Sequence, residues 1–322
     1  RGPRSAWARV AAVLSSRWLR LCVGGGLLAL LVSWVDLAQA SGVVAGARLD
    51  YLALLPLVLL VDRLIAALRQ YILLRGRHPA VTFWGMVRLI FVSGFAGYFM
   101  PGTVGVEAVR VYGLSRATAN LALSVTAVLV ERLTALLALC LLVLFGVAMR
   151  PPGLPEDFGR LAWIALAVLM AVWFSLLSPL LRRLSLLALS TNWLARVRRG
   201  LQEIYLVLDD YKRRPWLLLW SLAVALIFQL NRCLVVAMGA AALDFSLPFL
   251  YFVIIVPIAA LISMMPISIA ALGVREAAFV YLFNLVGMPP EVSFPLALLT
   301  RFAGLLMLLP GAWFYIRRGI SA

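Results

Sequence analysis

The chain has 322 residues, 64% of them hydrophobic, and a mean hydropathy of +1.03. Its formal charge of +16 comes almost entirely from arginine, since Lys212 is the only lysine. These values exclude a water-soluble globular domain. They also argue against nucleic acid as a partner, because the arginines gather where apolar segments end, as topology signals and lipid-headgroup contacts do.

In chain order, four arginines precede the first apolar segment, Leu19–Val35, and Ala38-Gln39-Ala40 resembles a signal-peptidase site. The segment is expected to be retained as a signal anchor. Tyr51–Leu74 follows, with Asp62-Arg63 inside it. Val81–Met100 runs into a Met100-Pro101-Gly102 break, then a short stretch, Val104–Ala117, with Glu107 and Arg110. Leu121–Met149 carries Glu131-Arg132, and Leu161–Leu180 is the next apolar run. The connector at 181–214 holds eight basic residues, among them Arg182, Arg198 and Arg214. Pro215–Ala240 includes Asn231-Arg232, a pair expected to snorkel toward the outer face. Phe249–Met265 ends in a second break at Met265-Pro266, followed by the short Val274–Leu285. Ser293–Tyr315 contains Arg301, and Arg317-Arg318 closes the chain.

The two breaks are alike. Met-Pro recurs 165 positions apart, and in each case an arginine, Arg110 or Arg275, stands nine residues past the proline. Helix-breaking Pro and Gly beside ionisable residues at membrane depth mark binding or transport sites, and a matched pair of them points to a site between two repeats. Threading follows from charge. If Val81–Met100 crossed the bilayer fully, the basic connector would lie outside, against the positive-inside rule. If Val81–Ala117 is a re-entrant hairpin, the basic stretches all fall inside. Three full spans then separate it from Phe249–Leu285, which enters from the opposite face.

The expected fold is therefore an all-α polytopic membrane protein with about six full spans and two oppositely inserted re-entrant hairpins forming an inverted repeat. One transmembrane domain covers 1–322, with repeat 1 at about 81–149, repeat 2 at about 249–316 and a cytoplasmic connector at about 181–214. Both termini are expected in the cytoplasm.

Pro101, Gly102 and Gly105 form the first hairpin tip in this scheme, and Pro266 and Gly273 the second. Glycine permits the tight turns, and a half-helix starting at each tip aims its positive end at mid-membrane. Pro101 and Pro266 are expected to approach each other there, with Arg110 and Arg275 lining a shared cavity. Glu131-Arg132 lies about ten residues into its segment, roughly 15 Å deep. Such charges cost at least ~2.5–3.5 kcal/mol each if they face lipid, so they converge on a protein interior or a wet cavity. Arg110, Arg132, Arg275 and Arg301 are equivalently placed, and guanidinium suits bidentate phosphate binding. Glu107, Glu131 and Glu276 balance them as ion pairs, as helix-dipole partners or as contacts to a cationic substituent. Cys22, Cys140 and Cys233 lie in apolar segments as core residues, and His78 is the single histidine, so neither a metal site nor an organic cofactor is expected.

At these residues the chain resembles the lysylphosphatidylglycerol synthetase transmembrane-region family, the flippase-type membrane domain found in the multiple peptide resistance factor. Pro101-Gly102 with Glu107 and Arg110 matches its first motif, and Glu131-Arg132 its helical pair. Pro266-Ile267-Ser268 through Gly273-Val274-Arg275-Glu276 matches its second motif, and the resemblance runs from about Tyr51 to the end. Val106 and Ala271 replace glycines common in the family, so the tips differ in shape. The resemblance implies translocation of a phospholipid or glycolipid headgroup, anionic or zwitterionic, between leaflets. The soluble synthase domain of the aminoacyl-lipid branch has no counterpart in these residues, so aminoacyl transfer is not implied. A separate lipid-modifying enzyme is a candidate partner. No nucleotide-binding motif is present, so transport would draw on a gradient or run without energy coupling. Two rival readings stand beside transport. One is a membrane-embedded transferase with Glu107, Glu131 or Glu276 as general base, although neighbouring arginines weaken a carboxylate in that role. The other is a non-transporting scaffold for a lipid synthase.

Overall fold

A computed structural model describes residues 37–75, 78, 81–98, 104–153, 159–160, 163–164, 166–167, 170–171, 195–264 and 272–318. The expected span Leu19–Val35, most of Leu161–Leu180, and the tip residues Pro101, Gly102 and Pro266 lie outside them, as does the expected approach of the two prolines. Among the described residues the chain is helical, without strands. In order the helices are α1 (Leu37–Ala45), α2 (Leu49–Leu74), α3 (Phe83–Tyr98), α4 (Val104–Thr118), α5 (Leu121–Ala148) and α6 (Ala195–Lys212). They continue as α7 (Pro215–Ala242), α8 (Phe249–Ser263), α9 (Val274–Asn284), α10 (Pro290–Leu306) and α11 (Leu309–Arg318).

Length sorts these elements. Four apolar helical stretches can cross a membrane: α2 with 26 residues, α5 and α7 with 28 each, and α10 continued by α11 over Pro290–Arg317. The 16 residues of α3 and 15 of α8 are apolar but fall short. At about 1.5 Å per residue neither reaches the ~30 Å of a hydrocarbon core. Local chemistry sets the ends. Ala119 has φ 48°, which ends α4, and the Asn120 side chain then accepts from the Leu123 N–H at 2.8 Å to cap α5. Pro215 opens α7 where its missing N–H costs nothing. Pro310 cannot continue α10, so the helix stops at Leu306 and restarts as α11. Gly273, with φ 78°, starts α9 in a backbone region that side chains disfavour.

Two units of the same order make up the bundle. Each runs from a span (α2 or α7) through two short helices (α3-α4 or α8-α9) into a second span (α5 or α10-α11). The leading spans pack on each other antiparallel: Arg48 N–H bonds Ala242 O at 2.7 Å, Asn231 Nδ2 bonds Val58 O at 3.2 Å, and Arg69 lies 5.2 Å over the Phe228 ring. The short helices exchange partners, α8 packing on α5 and α11 on α3. A glycine sits at each exchange, Gly146 against Ile254 and Gly311 against the Phe91 backbone, again 165 positions apart. At Gly97 the α3 backbone meets Val106 of α4 with no room for a Cβ.

The surface is apolar and the polar groups turn inward. Leu54, Leu57, Val61 and Leu68 expose one face of α2, while Asp62, Arg69 and Gln70 on the same helix are buried. This arrangement suits lipid rather than water outside. Exposed Trp84, Trp216, Trp220 and Trp313 lie near helix ends, where aromatic belts meet headgroups. The amphipathic α6 rests on the bundle through Leu208 and Tyr211, whose hydroxyl donates to Leu73 O at 2.9 Å.

Candidate functional site

The intramembrane charges pair across helices. In the first unit Glu107 of α4 meets Arg132 of α5 at 2.6 Å. Arg110, one turn on, donates from Nη1 to both Glu131 oxygens at 3.0 and 3.2 Å. Glu107 and Arg110 therefore do not pair along α4, as their spacing allows. Adjacent residues of α5 diverge by about 100°, so Glu131 and Arg132 serve different neighbours. Arg69 of α2, only 3% exposed, also reaches Glu131: its Nη2 donates to the backbone oxygen at 2.8 Å and its Nη1 lies 3.8 Å from the carboxylate. One buried carboxylate thus ties α2, α4 and α5 together.

The second unit pairs its charges in a similar way, with the Glu and Arg of the short helix adjacent and in reverse order and with one change on the partner span. Glu276 of α9 meets Arg301 of α10 at 2.5 and 3.2 Å, as Glu107 meets Arg132. Arg275 occupies the place of Arg110, and Thr300 that of Glu131. Arg275 Nη2 donates to Thr300 Oγ1 at 3.0 Å, and its guanidinium lies 5.1 Å over the Phe279 ring. The Thr300 hydroxyl in turn donates to the Leu296 carbonyl at 2.9 Å. Glu276 also accepts from the Gly273 N–H at 2.9 Å, so it caps the half-helix and holds Arg301 at once. Gly105 is buried in the first turn of α4.

Between the two pairs of short helices lies a cavity of about 390 Å³. Gly97 and Val106 contribute from the first pair, and Ser263, Arg275 and Phe279 from the second. Arg132 and Arg301 face it from α5 and α10, and Asp62, Arg63 and Arg232 close it on the α2–α7 side. Of the four arginines singled out by sequence, Arg132, Arg275 and Arg301 line this space. Arg110 does not: Glu131 draws it into the buried clamp instead, which corrects the expectation that Arg110 and Arg275 share the wall.

Arg232 is a cavity residue that sequence reasoning did not single out for the site. It was expected near the outer face, and it stands about ten residues before the end of α7, on the wall of the cavity. Its position within an apolar segment was the available signal. Asp62-Arg63 forms an ion pair of 3.4 Å on the wall. No group of His, Cys, Asp and Glu able to hold a metal occurs among the described residues. Cys140 and Cys233 are buried and unbridged. Chemically the site is a pocket of fixed guanidiniums in an apolar surround, suited to an oxyanion.

Neither a curated protein nor a solved structure gave a match to this chain. The family described as lysylphosphatidylglycerol synthase TM region matches residues 17–311, which include every helix but the end of the last. The chain is a multi-pass membrane protein that belongs to the lysylphosphatidylglycerol synthase TM-region family.

Proposed function

We propose that this protein is a lipid transporter that moves a phospholipid or glycolipid headgroup between leaflets of the bacterial inner membrane, with both termini in the cytoplasm. The observation that carries the reading is the cavity of about 390 Å³, walled by five arginines, inside a bundle whose outer surface is apolar. Arg132 and Arg275 would donate to the headgroup phosphate while the acyl chains stay in lipid. In a water-poor site such charge-assisted bonds are strong.

Architecture supports the same reading. The leading spans of the two units run antiparallel, as they must if the units are related by inversion across the membrane. On this reading α3-α4 and α8-α9 are re-entrant hairpins inserted from opposite faces, and rocking one unit against the other opens the cavity to each leaflet in turn. Glu107, Glu131 and Glu276 are each committed to an arginine, which favours binding over a transferase mechanism that needs a free base.

The test is reconstitution in liposomes with fluorescent phospholipid and chemical quenching of the outer leaflet. Wild type should carry label across the bilayer, and the Arg132→Ala, Arg275→Ala double variant should fall to the rate of protein-free vesicles. Equal rates for the two proteins would refute the site.

A further inference from the structure

Arg63 and Arg232 belong to neither short-helix pair, and nothing in the paired scheme requires them. Both nevertheless stand on the cavity wall where α2 and α7 meet. Arg232 lies 5.7 Å over the Phe228 ring and has no carboxylate within ion-pair distance among the described residues. Its charge bears on Arg63. The Asp62–Arg63 pair is itself incompletely satisfied, since Asp62 Oδ1 and Arg63 Nε are buried without a hydrogen-bond partner.

The charge total points the same way. The wall carries five arginines and one carboxylate, Asp62. Two more carboxylates, Glu107 and Glu276, stand behind Arg132 and Arg301. Among these described side chains two positive charges therefore remain in surplus. An unbalanced charge at membrane depth is costly, so a ligand that supplies the counter-charge binds well and one that supplies half of it binds less well. A phosphodiester brings one negative charge, whereas a phosphomonoester brings about 1.5 to 2 at neutral pH.

We propose that Arg63 and Arg232 form a second anion subsite in the cavity, which selects headgroups ending in a phosphomonoester or diphosphate over phosphodiester and zwitterionic headgroups. This rests on the cavity as the ligand site but not on transport. Guanidiniums of the α2–α7 seam take one face of the dianion, and Arg132 and Arg275 take the other.

Binding to the purified full chain in uncharged detergent tests it, with dioctanoyl phosphatidic acid, dioctanoyl phosphatidylglycerol and inorganic phosphate as probes. Phosphatidic acid should bind at least about tenfold more tightly than phosphatidylglycerol. Arg232→Gln should collapse that ratio to about one, and Arg232→Lys, which keeps the charge, should largely restore it. Equal affinities in wild type, or a ratio unmoved by Arg232→Gln, would overturn the subsite. Inorganic phosphate binding as tightly as phosphatidic acid would uphold the dianion subsite and overturn its assignment to a lipid. A preserved binding preference in a protein that moves no lipid in vesicles would refute transport alone.

Discussion

The two units of this bundle each pair a short-helix glutamate and arginine with two adjacent residues of the following span, and one of those span residues differs in charge. Glu131 in the first unit corresponds to Thr300 in the second. Where Glu131 stands, Arg110 and Arg69 are both drawn into a buried clamp that joins three helices. Where Thr300 stands, Arg275 bonds a neutral hydroxyl and stays on the cavity wall. The lesson is that a single carboxylate separates two similarly ordered units: one holds its arginines in a buried clamp, and the other leaves its arginine on the cavity wall.

Removing the fastening should have the largest effect. Glu131→Ala leaves Arg69 and Arg110 without their shared carboxylate, and breaking a buried pair this way costs about 3–5 kcal/mol. Thermal unfolding in detergent should register that loss, while Thr300→Ala, which removes a hydrogen bond, costs about 1 kcal/mol. Similar losses for the two variants would remove the contrast. Next come the exchange glycines. A Cβ at Gly311 meets the Phe91 backbone, which cannot yield, whereas at Gly146 it meets the Ile254 side chain. Gly311→Ala should destabilise by about 1–3 kcal/mol and Gly146→Ala by less.

The comparison can also be sharpened by copying one unit onto the other. Thr300→Glu gives Arg275 the partner that Arg110 has. Transfer of an anionic lipid should fall about tenfold, equivalent to about 1.4 kcal/mol, with no loss of thermal stability. An unchanged rate would show that the positive charge of Arg275 is not used.

How much of this was legible beforehand depends on the kind of signal. Apolar run lengths revealed the helical class and the spans α2, α5, α7 and α10-α11, because a bilayer leaves a chain few options. Met-Pro breaks with Arg110 and Arg275 marked the short helices. Pairing was not legible, because spacing along α4 sets Glu107 beside Arg110 while tertiary packing gives each a better partner on α5. Thr300 carried no signal at all: a threonine in a helix is ordinary until an arginine from elsewhere meets it. Arg232 was not assigned to the site for a related reason, since its place on the wall depends on how α7 packs against α2.

The most direct test uses Gly304 on α10, which lines the cavity and has no atom within 4 Å of where a Cβ would stand. A Cβ placed there enters open space, and a larger side chain extends from it into the cavity. Gly304→Trp should keep the wild-type melting temperature and move fluorescent lipid no faster than protein-free vesicles, while Phe302→Trp on the exposed face should transport normally. Wild-type transport by Gly304→Trp would contradict passage of the headgroup through this cavity.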